Sequence, residues 1–125
     1  MFTPSNRQKV EDQIVDADVA GISLMNKFFV RFGAKDKKFT KVDFRYSIFD
    51  TCYLRGCTFD SCDFTGCRFL ATSLYGSQFI GCKFDYAVFE RTIVDSDILN
   101  SSCPGTENLK MRFARMPTPP KGGKG

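Results

Sequence analysis

Cys52, Cys57, Cys62 and Cys67 follow one another at a constant spacing of five residues, and Cys82 falls in the same register. Thiols in such a series allow three readings: a four-thiolate zinc site, a disulfide framework, or no sulfur chemistry, with cysteine as a compact apolar filler. Other reactive groups are scarce. The chain has no His, so the commonest general base and metal ligand is missing. The serines lack a base, and Lys83 is the only lysine between 42 and 95. Asp43 and Asp63 fall 20 apart, where like-charge repulsion could raise one carboxyl, but no cleft is evident around them. Catalytic, cofactor and metal residues are all expected to be none.

The cysteine spacing belongs to a longer pattern. In fives, residues 41–95 read KVDFR YSIFD TCYLR GCTFD SCDFT GCRFL ATSLY GSQFI GCKFD YAVFE RTIVD. The fourth place of each block is Phe, Leu or Val. Two places earlier stands a small or β-branched residue: Val42, Ser47, a cysteine, Thr72, Ser77, Ala87 or Thr92. A period of five matches neither a helix nor a flat strand. It describes a chain that turns a corner every five residues and points one large and one small side chain inward from each extended segment.

This pattern resembles the pentapeptide repeat family, and the eleven blocks from Lys41 to Asp95 carry the resemblance. The resemblance implies an all-β solenoid, a right-handed quadrilateral β-helix of about four coils, with four blocks to each square coil. Residues 20 apart should then stack. The columns are Phe39, Phe59, Phe79, Leu99; Phe44, Phe64, Phe84; Phe49, Phe69, Phe89; and Leu54, Leu74, Val94. Three walls become Phe ladders and one is aliphatic. Carried backwards, the register gives Ala34, Phe29, Leu24, Val19 and Ile14, but Lys37, Phe32, Lys27 and Ile22 break the small-residue rule. Residues 17–36 are therefore expected as a degenerate first coil that bulges at "FGAKDKK", and 37–102 as the regular β-helix.

On such a coil the four clustered sulfurs lie on four different walls with Leu54, Phe59, Phe64 and Phe69 between them, so they cannot converge on one ion. Cys62 and Cys82 stack within disulfide reach, and in a reducing compartment they are read as two free thiols. The cysteines are expected to be fillers.

Open ends of a repeat stack need caps. Short helical caps are expected: residues 1–16, from Thr3-Pro4 with Val10 and Ile14 at helical spacing, and 103–116, where Thr106 starts a helix presenting Leu109, Phe113 and Met116. The tail 117–125, rich in Pro and Gly, is expected to be disordered.

Charge is balanced at five against five in 1–36 and eight against eight in 37–100, so the net +4 arises in the tail. A nucleic-acid groove on the body is not expected, nor is membrane insertion, since no apolar run approaches about 20 residues. A cytoplasmic protein is expected. Outward apolar residues are Ile48, Val88 and Leu70 on one wall, Tyr53, Tyr75 and Ile93 on the next, and Ile80 and Ile98 on a third. Tyr46 and Tyr86 flank Gly66 on one corner. Contiguity of Tyr53, Tyr75 and Ile93 would make them a protein partner or homodimer contact. The expected function is a non-catalytic protein–protein interaction or scaffold module. The family resemblance adds two alternatives: a DNA mimic that binds a type II topoisomerase such as gyrase, or the repeat domain of a larger membrane or defence-type protein.

Overall fold

The computed structural model describes residues 7–94 and the backbone of 110–112. All the regular structure in them is extended, in thirteen short strands whose pairings are parallel. Strands of two to four residues bury too little to stand alone, and each is held by the one stacked on it a coil later. The chain is an all-β parallel solenoid of about four turns, with four walls.

The first wall stacks β1 (Gln8–Glu11), β4 (Lys27–Val30), β7 (Ile48–Asp50), β10 (Arg68–Leu70), β12 (Val88–Glu90) and β13 (Lys110–Arg112). The second stacks β2 (Ile14–Val15), β5 (Gly33–Lys35) and β8 (Tyr53–Arg55) and continues through bridges at Ser73 and Ile93. The third stacks β3 (Val19–Ala20), β6 (Lys38–Thr40), β9 (Thr58–Asp60) and β11 (Gln78–Ile80). The fourth is a ladder of single bridges, Ser23–Asp43–Asp63–Lys83.

The 20-residue columns are present. Phe29, Phe49, Phe69 and Phe89 lie ring on ring with centroids 4.7, 4.8 and 4.7 Å apart. Phe44, Phe64 and Phe84 follow at 5.0 and 5.2 Å, and Phe39, Phe59 and Phe79 at 4.9 and 5.0 Å. The Phe59 and Phe79 rings meet the middle ladder edge to face, as Phe59 meets Phe64 at 75°, which suits the quadrupoles of the rings, while Phe49, Phe69 and Phe89 meet it at a tilt. Leu54, Leu74 and Val94 fill the fourth side.

Corners recur as regularly as centres. Every fifth residue from Gly21 to Arg91 has a positive φ, near +60° in most cases. Most are not glycine, and Thr51 is even β-branched. Such a conformation costs roughly 1 kcal/mol for an L-residue, and it persists because the coils above and below fix each corner's backbone. Tyr46 N–H, for example, donates to Thr65 O and Gly66 N–H to Asp85 O.

Several expectations are corrected. Helical caps are not found among the described residues: 8–11 and 14–15, placed in the N-terminal cap, form β1 and β2, and 110–112, placed in the C-terminal one, form β13. The physical reason is the edge itself. A strand pairs the open N–H and C=O groups of β4 and β12, which a helix laid across them would leave unmatched. Thr3, Pro4, Thr106, Leu109, Phe113, Met116, Ile98, Leu99 and the tail 117–125 lie outside the described residues.

Ile14 is not inward but 70% exposed. Gln8 pairs with Lys27 and Ile14 with Gly33, 19 residues on, whereas Val19 pairs with Phe39, 20 on. The side from Val15 to Val19 is therefore one residue short, which turns Val15 toward the core and Ile14 out. No bulge occurs at "FGAKDKK": 28, 33 and 38 all keep a 20-residue register. Phe32 is buried against Phe29, ring centroids 4.6 Å apart, in space that its small neighbour Ala34 leaves open. Ile48, expected outside, is fully buried; Phe28 and Arg68 flank it in the ladder.

Candidate functional site

The small inward positions hold the polar machinery of the coil. Val42, Ser47, Thr72, Ser77, Ala87, Thr92 and the five described cysteines are all buried. Their hydroxyls and thiols donate to carbonyls 23 residues earlier: Ser47 to Leu24 at 2.7 Å, Cys67 to Phe44 at 2.8 Å, Thr92 to Phe69 at 2.9 Å and Cys82 to Phe59 at 3.2 Å. The hydroxyls also accept from backbone N–H groups 20 residues earlier, Ser47 from Lys27 and Ser77 from Cys57, each at 3.0 Å.

None of the five described cysteines is in a disulfide. Burial pushes the Cys52 thiol up to about 11 and raises Cys57 and Cys67 as well. Cys62 goes the other way, lowered by its side-chain interaction with Cys82 against the effect of its burial. Three of these thiols are thus kept protonated and engaged with backbone, the state of a structural donor rather than a nucleophile. The expectation that cysteine is a mere filler misses this role, whose signal is the interchange of Cys with Thr in one column, Cys52, Thr72 and Thr92.

On the fourth wall, Asp43 and Asp63 are stacked, but repulsion does not govern them. Arg45 bonds Asp43 through Nη2 at 2.8 Å and stands 4.0 Å from Asp63. The Arg45 hydrogen bond holds the Asp43 carboxyl below its usual range.

The second wall has a different surface. Its outer column runs Gly33, Tyr53, Ser73, Ile93, beside Lys35 stacked on Arg55. The Arg55 guanidinium lies 5.7 Å from the centre of the Tyr75 ring, within range of a cation–π contact. Ile14, turned outward by the short side, lies over Gly33, where a Cβ would come 3.3 Å from its Cδ1. Asp36 similarly reaches across Gly56. Absent side chains at Gly33, Gly56 and Gly76 leave a groove of about 560 Å³, lined on its apolar side by Ile14, Tyr53 and Tyr75 and on its polar side by Arg31, Lys35, Asp36 and Arg55. Tyr53 and Tyr75 are 53% and 45% exposed.

Of the residues singled out in the sequence, Tyr53 and Tyr75 come together in this groove. Ile93 does not; it stands two places up the column from Tyr53, half-buried, with Ser73 between. Tyr46 and Tyr86 occupy the corner diagonally across the coil, with the Tyr46 ring lying over Gly66. Sequence reasoning missed Ile14, Lys35 and Arg55. The charged pair was legible as a 20-residue repeat, whereas Ile14 was hidden by the register slip.

A family model for pentapeptide repeats, in eight copies, matches residues 38–69. A pentapeptide repeat protein, Rfr23, from the cyanobacterium Cyanothece 51142 superposes with a TM-score of 0.51 at 8% identity, over 87% of each chain, which is a likeness of fold. Full-length QnrB1, a plasmid-mediated fluoroquinolone resistance protein, aligns over 93% of this chain and 88% of its own at 16% identity, with a TM-score of 0.26, too low to carry an argument. No curated protein matches the sequence. Residues 38–69 are thus pentapeptide repeats, and the fold around them is the pentapeptide repeat β-helix.

Proposed function

We propose that this protein is a non-catalytic interaction module, a rigid rod that presents the groove on its second wall to a protein partner. The observation that carries this reading is the pair of exposed tyrosines, Tyr53 and Tyr75, set with Ile14 in a concavity on the second wall. Aromatic side chains held on rigid backbone lose little entropy on binding and are enriched at interface centres. The buried thiols support the non-catalytic reading and a reducing, cytoplasmic setting. No helix among the described residues is long and apolar enough to cross a membrane.

Duplex mimicry toward a topoisomerase calls for continuous acidic columns. The bridge ladder changes sign from Asp43 and Asp63 to Lys83, and residues 27–46 hold seven basic residues against two acidic, so partner docking at the groove is preferred.

The test is comparative. Proteins that co-purify with the native chain should be lost from a Tyr53→Ser/Tyr75→Ser variant and kept by Tyr86→Ser, whose site lies across the rod. Partners retained by the double variant would reject the reading.

A further inference from the structure

Building on the docking role above, we infer that the groove selects an acidic peptide segment carrying an apolar anchor residue. Three observations point to that occupant. First, the groove holds cationic charge that no described residue neutralises in an ion pair. Arg31 is engaged by Glu11 and Asp12, each at 2.5 Å, but Lys35 and Arg55 make no ion pair among the described residues. Lys37, Lys38 and Lys41 extend the same surface around the corner, again without an ion pair among the described residues, and Asp36 is the one acidic side chain among the described residues that line the groove.

Second, the cations flank an apolar floor. Ile14, Tyr53 and Tyr75 provide a seat for one aliphatic or aromatic side chain, and Lys35 and Arg55, one coil apart, can each face a carboxylate beside it. A nucleic acid would want a continuous phosphate track, which Asp36 and the tyrosines interrupt. A second copy of the chain laid groove to groove would bring Lys35 and Arg55 against like charges.

Third, β5 is already paired on both edges, with β2 and β8. The occupant therefore cannot add a strand here and must bind through its side chains, which makes charge and the anchor the basis of selection.

The experiment measures fluorescence anisotropy of four labelled ten-residue peptides with the full chain: a central Phe flanked by Asp and Glu, the same peptide with Asn and Gln, the same with Lys, and the acidic peptide with Ala for Phe. The acidic Phe peptide should bind about tenfold tighter than its neutral counterpart, the size expected of one or two rim ion pairs. It should weaken as salt rises, lose affinity with Ala for Phe, and lose about tenfold on Arg55→Glu or Lys35→Glu. Tyr86→Ser should leave it unchanged, and far-UV circular dichroism should show both charge variants folded. Equal binding of acidic and neutral Phe peptides, abolished by Tyr53→Ser, overturns acid selection and leaves the docking reading standing. Binding of no peptide, together with a dimer in sedimentation that Tyr53→Ser dissolves, assigns the groove to a second copy and overturns the inference. Tight binding of a labelled single-stranded oligonucleotide that Arg55→Glu removes would overturn it too. If Tyr53→Ser alters none of these signals, both the inference and the docking role fail.

Discussion

Ser77 Oγ donates to the carbonyl of Leu54, 23 residues earlier, at 2.5 Å while accepting from the N–H of Cys57 at 3.0 Å. One hydroxyl thus satisfies two backbone groups inside the coil. Ser77→Ala would leave both buried without a partner, at a cost of about 2 kcal/mol. Ser77→Cys keeps a weaker donor in the same slot, as Cys82 shows toward Phe59, and should cost about half as much. Urea denaturation of the two variants checks the order, and equal losses would refute the hydrogen-bonding role.

Phe64 lies between Phe44 and Phe84, with the ring planes within 5° of parallel on both sides. Truncation to Ala removes the middle ring from a fully buried ladder and should destabilise by about 4 kcal/mol. The aliphatic side is close-packed as well, so Leu54→Phe should also destabilise, by about 1 to 3 kcal/mol, through overpacking. A neutral Leu54→Phe would show that the coil has room for a fourth Phe ladder.

Two corner glycines should behave differently. Gly66 and Gly76 share a positive φ, but a Cβ at Gly66 would meet Tyr46 Cδ1 at 2.5 Å, while at Gly76 the nearest atom is Gly56 N at 3.7 Å. Gly76→Ala should cost about 1 kcal/mol, the backbone effect alone. Gly66→Ala adds displacement of the tyrosine ring and should cost about 2 kcal/mol. In a Tyr46→Ala background the excess at Gly66 should vanish, a non-additivity that thermal melts of the four variants would read.

Alkaline stability follows from the thiols. Burial raises Cys52 from 9.0 to about 11 in the folded chain, so folding favours the neutral thiol. That contribution is complete below the unfolded value and is lost as pH climbs through the folded one. Urea midpoints should therefore fall between pH 9.0 and about 11. Cys52→Ser should flatten that fall. Cys67 and Cys57 act in the same direction and Cys62 in the opposite one.

The core was legible in the sequence because a 20-residue coil writes its columns directly: Phe44, Phe64 and Phe84 could be aligned by counting. Departures from that count were not. Val10 and Ile14 fit a helical i, i+4 stripe, and strands of two to four residues carry too little periodicity to contradict it. The missing residue shows in the pairings, where Ile14 meets Gly33 after 19 residues and Val19 meets Phe39 after 20. Phe32 looked like a violation because large and small had exchanged places with Ala34 within one block. At the groove, the tyrosines stood out by type, whereas Lys35 and Arg55 gain their meaning from each other's company across a coil.

Each face returns only after twenty residues, as from Gly33 to Tyr53, so growth or loss of chain can take two forms. A cassette of twenty adds one storey and leaves all four faces continuous. A single block of five inserted between Arg55 and Tyr75 would swing everything after it by a quarter turn, carrying Tyr75 onto a different side of the rod from Tyr53 with the backbone bonding intact. Such a rod can thus exchange the surface it presents by slipping one block, without disturbing the core that keeps it upright.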